Sequence, residues 1–160
     1  MILGMDTNTF TFLHVALSLL GIASGLAVLW GFIKNRVLRI AILIFLVTTI
    51  LTSLTGFAFP NSHITPGIIL GILSMITLAI ASTAMYIGKL AGRWRATFVI
   101  TSQVSLYFNM FVLIAQSFEH VPALHSLAPT GSGPVFGVAQ LFLLGAFIWL
   151  TVSAVKRFRL

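Results

Sequence analysis

Four histidines and two carboxylates are the only groups in this 160-residue sequence able to ligate a metal or move a proton near neutral pH. Half of them fall in SFEHVPALHSLAPTGSGP, residues 117–134, which holds Glu119, His120 and His125. Imidazole binds zinc, copper and iron, and a carboxylate can complete such a site or orient an imidazole from behind. His14, His63, His120, His125 and Glu119 are therefore the candidate metal ligands, and a haem- or copper-binding redox protein is one reading. The spacing does little to help it. His120 and His125 fall on different faces of any helix and meet only if Pro122 bends the chain. No His-x3-His or Glu-x-x-His spacing occurs. The absence of cysteine excludes thiolate metal sites, cysteine nucleophiles and disulfide exchange. A second reading of the histidines is topological: translocated loops avoid Lys and Arg, and a neutral imidazole is a tolerated polar residue at a membrane edge.

A different chemistry is offered by neutral polar side chains inside long apolar runs. Asn109 lies in LYFNMF, and an unpaired amide in hydrocarbon is costly. With Gln116, Gln140 and Tyr107 it outlines a ligand pocket between the fourth and fifth apolar runs, walled by Phe108, Phe111 and Phe118. Such a pocket suits a lipidic or aromatic ligand: a quinone, a sterol-like molecule or a porphyrin. The same groups equally serve as hydrogen-bonding glue between helices, Asn109 to a threonine of the second run or to Tyr107 of a second copy. Small residues recur at helical spacing: His14, Ser18, Gly21 and Gly25; Gly67, Gly71, Ser74 and Thr77; Thr48, Thr52 and Thr55; Ser102 and Ser105. These let backbones approach closely. No ionisable residue other than Tyr107 lies at mid-depth in any run, which argues against proton-coupled pumps, voltage sensors and intramembrane proteases.

The elements that must position these groups follow from composition. The chain is 59% hydrophobic and 7% charged, where a soluble domain carries about 25% charged residues. Its solvent must be lipid. Five runs are long enough to cross a core of about 30 Å: residues 10–33, 40–59, 67–88, 96–118 and 135–155. The expectation is an all-α integral membrane protein, a five-helix bundle forming one domain over residues 1–160. Thr65 and Pro66 read as the cap and first turn of the third helix. The N-terminal run is too long, and lacks the preceding positive charge, for a cleavable leader.

The net charge of +7 is a topology signal rather than a nucleic-acid footprint. Lys34, Arg36 and Arg39, then Lys89, Arg93 and Arg95, then Lys156, Arg157 and Arg159 follow the first, third and fifth runs. They account for all nine cations, so the rule that basic loops stay inside sets the N-terminus outside and the C-terminus in the cytoplasm. The basic loops are expected to hold anionic lipid. The 117–134 stretch becomes the loop between spans four and five, with VPALHSL a short interfacial helix and TGSGP a turn.

LTSLTGFAFP, TPGIILGILS, LYFNMFVLIAQSF, VPAL and LAPT together resemble a group of small uncharacterised bacterial polytopic membrane proteins. The resemblance covers the chain from span two onward, implies a bacterial inner membrane and carries no activity. The leading expectation is a non-enzymatic protein binding an apolar ligand or lipid, or an accessory subunit of a membrane complex, in a homo-oligomer or with a partner subunit. An oligomeric passive channel is the remaining alternative.

Overall fold

A computed structural model describes residues 1–60, 63–128 and 133–159. Helix accounts for 81% of the chain. Among the described residues there is no strand, only an isolated bridge between Ile2 and Met5. Helix α1 spans Thr7–Ile33, α2 Arg39–Phe57, α3 Pro66–Ser82, α4 Arg93–His120, α5 Pro122–His125 and α6 Pro134–Arg157. Helix α3 continues through a π-helical turn at Thr83–Ile87, so five helices are long and apolar enough to span a membrane.

Local chemistry sets several of these boundaries. Asp6 caps α1 through its carboxylate, which accepts from the Asn8 N–H at 3.0 Å, so the helix starts a turn before its apolar run. Thr65 caps α3 by accepting from the Ile68 N–H at 3.3 Å, and Pro66 takes the first helical position, as the sequence predicts. The chain around VPALHSL does form a helix, but only of one turn, Pro122–His125. The expected TGSGP turn lies largely outside the described residues.

Helices α1 to α4 pack in a ring, each against the next and α4 back against α1, while α6 lies outside against α4 and α1. The links at residues 34–38 and 88–92 are short, so neighbours run antiparallel. One end of the bundle therefore gathers all three cation clusters. The other gathers Asp6, Glu119, His63, His120 and His125. We call these the basic end and the histidine end.

The interior divides by depth. Toward the basic end it is mostly hydrocarbon: Phe32, Ile42, Phe45, Leu78, Phe98, Val99, Leu106 and Phe158 are all essentially inaccessible, with Ser102 and Gln103 of α4 among the buried polar exceptions. Phe32 meets Phe98 edge-on at 5.7 Å and Phe158 at 4.9 Å. Residues just beyond α6 fold back under α1, where the Arg159 N–H donates to the Asn35 side-chain carbonyl at 2.7 Å. Toward the histidine end the interior turns polar, with Thr48, Thr49, Thr52, Ser53, Ser74 and Asn109 buried. Glycines on α1 sit at the transition. A Cβ on Gly25 would fall 2.7 Å from Leu106 Cδ1 and 2.9 Å from Phe45 Cδ2, and one on Gly21 3.0 Å from Thr49 Oγ1. The close approach that makes this interior possible thus depends on the missing side chains.

Candidate functional site

The polar half of the ring encloses a partly open cavity of about 120 Å³. All four ring helices contribute: His14 and Ser18 from α1, Thr52, Ser53, Gly56 and Phe57 from α2, Leu70, Gly71 and Ser74 from α3, Phe108, Asn109 and Val112 from α4. With a rise of about 1.5 Å per residue, His14 lies roughly 10 Å along α1 from Thr7, and Asn109 roughly 16 Å along α4 from His120. The cavity therefore spans the depth between the histidine end and the middle of the bundle.

Its floor is the next helical turn. Gly25, Phe45, Leu78 and Leu106 lie three or four residues from Gly21, Thr49, Ser74 and Asn109, and Phe45, Leu78 and Leu106 are fully buried. Within the ring the cavity is closed toward the basic end.

Several polar groups in the wall have bonding capacity to spare. Ser74 is 3% exposed, and its hydroxyl has no hydrogen-bond partner. Asn109 is 8% exposed, and its Nδ2–H donates only a long bond, 3.5 Å, to Thr49 Oγ1. By contrast the Thr52 hydroxyl is spent on the carbonyl of Thr48 at 2.8 Å, the usual back-bond of a helical threonine. His14 is held by α2: its Nδ1 lies 2.8 Å from Thr55 Oγ1, and its ring meets Phe59 edge-on at 5.2 Å. The Thr55 hydroxyl also lies 2.8 Å from the Leu51 carbonyl. With its proton spent on that back-bond, Thr55 accepts from Nδ1–H of His14, and Nε2 is left as an acceptor. Among the described residues no Lys, Arg, Asp or Glu lines the cavity. A buried polar wall with unspent donors and acceptors and no charge binds neutral dipoles.

The groups expected between spans four and five separate onto three surfaces. Asn109 faces the ring cavity. Tyr107 turns the other way, packing on Phe147 of α6 at 5.7 Å beside a groove between α4 and α6. Gln140 bridges the same two helices, donating to the Phe111 carbonyl at 3.1 Å. Gln116 is at the exposed end of α4, donating to Glu119 at 3.4 Å. The histidines also stand apart. His14 is within the bundle, His120 bonds the Gln116 carbonyl of its own helix at 3.1 Å, and His63 and His125 are exposed. Among the described residues no three of His, Asp and Glu converge as a metal site would require.

Sequence reasoning passed over Ser53, Thr49 and Gln103. Gln103 is 1% exposed, and neither amide atom has a partner. The signal for all three was their polarity inside apolar runs, the same signal that singled out Asn109.

Fold and cavity define an all-helical protein with five helices able to cross a membrane and a neutral polar recess among four of them. Compared with models of known families, with curated proteins and with solved structures, the chain matches none.

Proposed function

We propose that this is a non-enzymatic membrane protein that binds a small neutral or lipid-like ligand in the cavity of the α1–α4 ring. The observation that carries this reading is the pairing of a partly open space of about 120 Å³ with the unpartnered hydroxyl of Ser74, one of its lining residues. Leaving a buried polar group unsatisfied costs about 1–3 kcal/mol, and a ligand or ordered water recovers it. Catalysis has less support: among the described residues no carboxylate lines the site, and the hydrogen bond His14 makes is to Thr55.

The setting we propose is a bacterial inner membrane, with the N-terminus outside and the C-terminus in the cytoplasm. All nine cations at one end of the bundle support that orientation, and the resemblance of LTSLTGFAFP and LYFNMFVLIAQSF to small bacterial polytopic proteins supports that membrane. Anionic lipid at the basic end completes the setting, each cation contributing about 1 kcal/mol.

Native mass spectrometry of protein released gently from detergent tests the reading. The expected result is a bound small molecule on the unaltered chain that is lost from Asn109→Leu while helicity and elution volume are unchanged. Bare protein in both, from cells grown in several media, sinks the proposal. A bound molecule that survives Asn109→Leu places the site elsewhere.

A further inference from the structure

The chemistry of the occupant can be narrowed, on the reading that the ring cavity is a ligand site. We infer that the cavity recognises an un-ionised hydroxyl carried on a small apolar body, such as a phenol or a short alcohol. The lining holds a hydroxyl with its proton unspent and an imidazole held from one side. Ser74 Oγ–H is buried and unpartnered, so it is free to donate as well as accept. With the Thr55 proton on the Leu51 carbonyl, His14 carries its ring proton on Nδ1 and its Nε2 accepts. Asn109 has an N–H committed only weakly, at 3.5 Å, and a carbonyl oxygen beside it. A hydroxyl is the smallest group that accepts and donates at once, so one such group satisfies both sides. A hydrocarbon satisfies neither, and an ether or ketone leaves the acceptors of the wall unpaired.

Charge and size narrow the class further. An anion or cation would lose its hydration without gaining a counter-charge, since no charged side chain lines the space. The lining also includes Phe57, Leu70, Phe108 and Val112, which suits an apolar body. An apolar cavity of about 150 Å³ holds a benzene. At about 120 Å³ and partly open, this one fits a single ring or a chain of a few carbons, with the rest of a larger molecule outside. The hydroxyl could be that of a free molecule or of a neutral lipid such as a diacylglycerol.

The test uses the full chain, delipidated in detergent, and an isosteric series of phenol, anisole and toluene, with benzoate as the charged member. Binding is read from the shift in unfolding temperature with ligand concentration. Phenol is expected to bind about tenfold more tightly than anisole or toluene, the effect of one hydrogen bond to a group otherwise left unpaired. Benzoate is expected to bind no better than toluene. Ser74→Ala and, separately, His14→Phe are each expected to shrink the phenol-to-toluene ratio several-fold while toluene still binds. A second arm places the protein in nanodiscs with and without dioleoylglycerol; protection there, and competition with phenol, identifies a lipid hydroxyl as the source. Equal binding of phenol, anisole and toluene overturns the hydroxyl inference and leaves the ligand site standing. Preferential binding of benzoate also overturns it. No binding by any member overturns both. Should His14→Phe fail to fold, Ser74→Ala, a change of one buried atom, decides alone.

Discussion

Gln103 is a buried amide that the described residues leave unpaired. It is 1% exposed with neither amide atom bonded, beside an apolar groove of about 220 Å³ formed by Val104, Tyr107, Leu144, Phe147 and Ile148 among others. Replacing it by leucine keeps the volume and removes the unpaired amide. Gln103→Leu is therefore expected to raise unfolding stability in detergent by about 1–3 kcal/mol. A loss of stability would show that the amide has a partner in the intact membrane assembly. The outer histidines present the opposite case. His120 and His125 are exposed, and the one hydrogen bond His120 makes is to its own helix. His120→Ala with His125→Ala is expected to change stability by less than about 0.5 kcal/mol. A larger fall in the presence of copper or zinc, relative to a chelator, would restore the metal reading.

Two glycines in different helices separate packing from propensity. Gly25 of α1 faces Phe45 and Leu106 with no room for a methyl group, whereas nothing lies within 4 Å of a Cβ on Gly145 of α6. Gly25→Ala is expected to cost about 1–3 kcal/mol through overpacking. Gly145→Ala is expected to be neutral or to stabilise α6 by up to about 1 kcal/mol, because alanine is the better helix former. Reversible unfolding in mixed micelles measures both. This contrast also explains what could be read from the sequence. The five helices were legible because length, hydropathy and terminal signals such as Thr65–Pro66 survive without context. Rotation about each helix axis was not. In lipid the outward face is as apolar as the core, so the amphipathic signal that orients a helix in water is nearly absent. Asn109 and Tyr107 were for that reason assigned to one pocket. On α4 they stand about 200° apart and serve different neighbours. Ser74 was visible only as a member of a small-residue stripe. That its hydroxyl is unpartnered depends on three other helices.

The arrangement of all five long helices carries the topology prediction. The chain has no native cysteine, so single cysteines report without background. A cysteine at Ala123, in the one-turn helix α5, is expected to react with a membrane-impermeant maleimide on intact spheroplasts. One at Ala91, in the basic link before α4, is expected to react only after lysis. The reverse pattern would invert the proposed orientation. Moving two lysines into the stretch 121–128 and removing Lys89 and Arg93 leaves seven cations at the basic end against two at the other, so the labelling pattern is expected to hold.

The apolar floor laid by Phe45, Leu78 and Leu106 has a kinetic consequence. On the proposed reading, a ligand in the cavity cannot leave through the bundle toward the basic end without parting these buried side chains, so its exchange runs through the open part of the cavity instead.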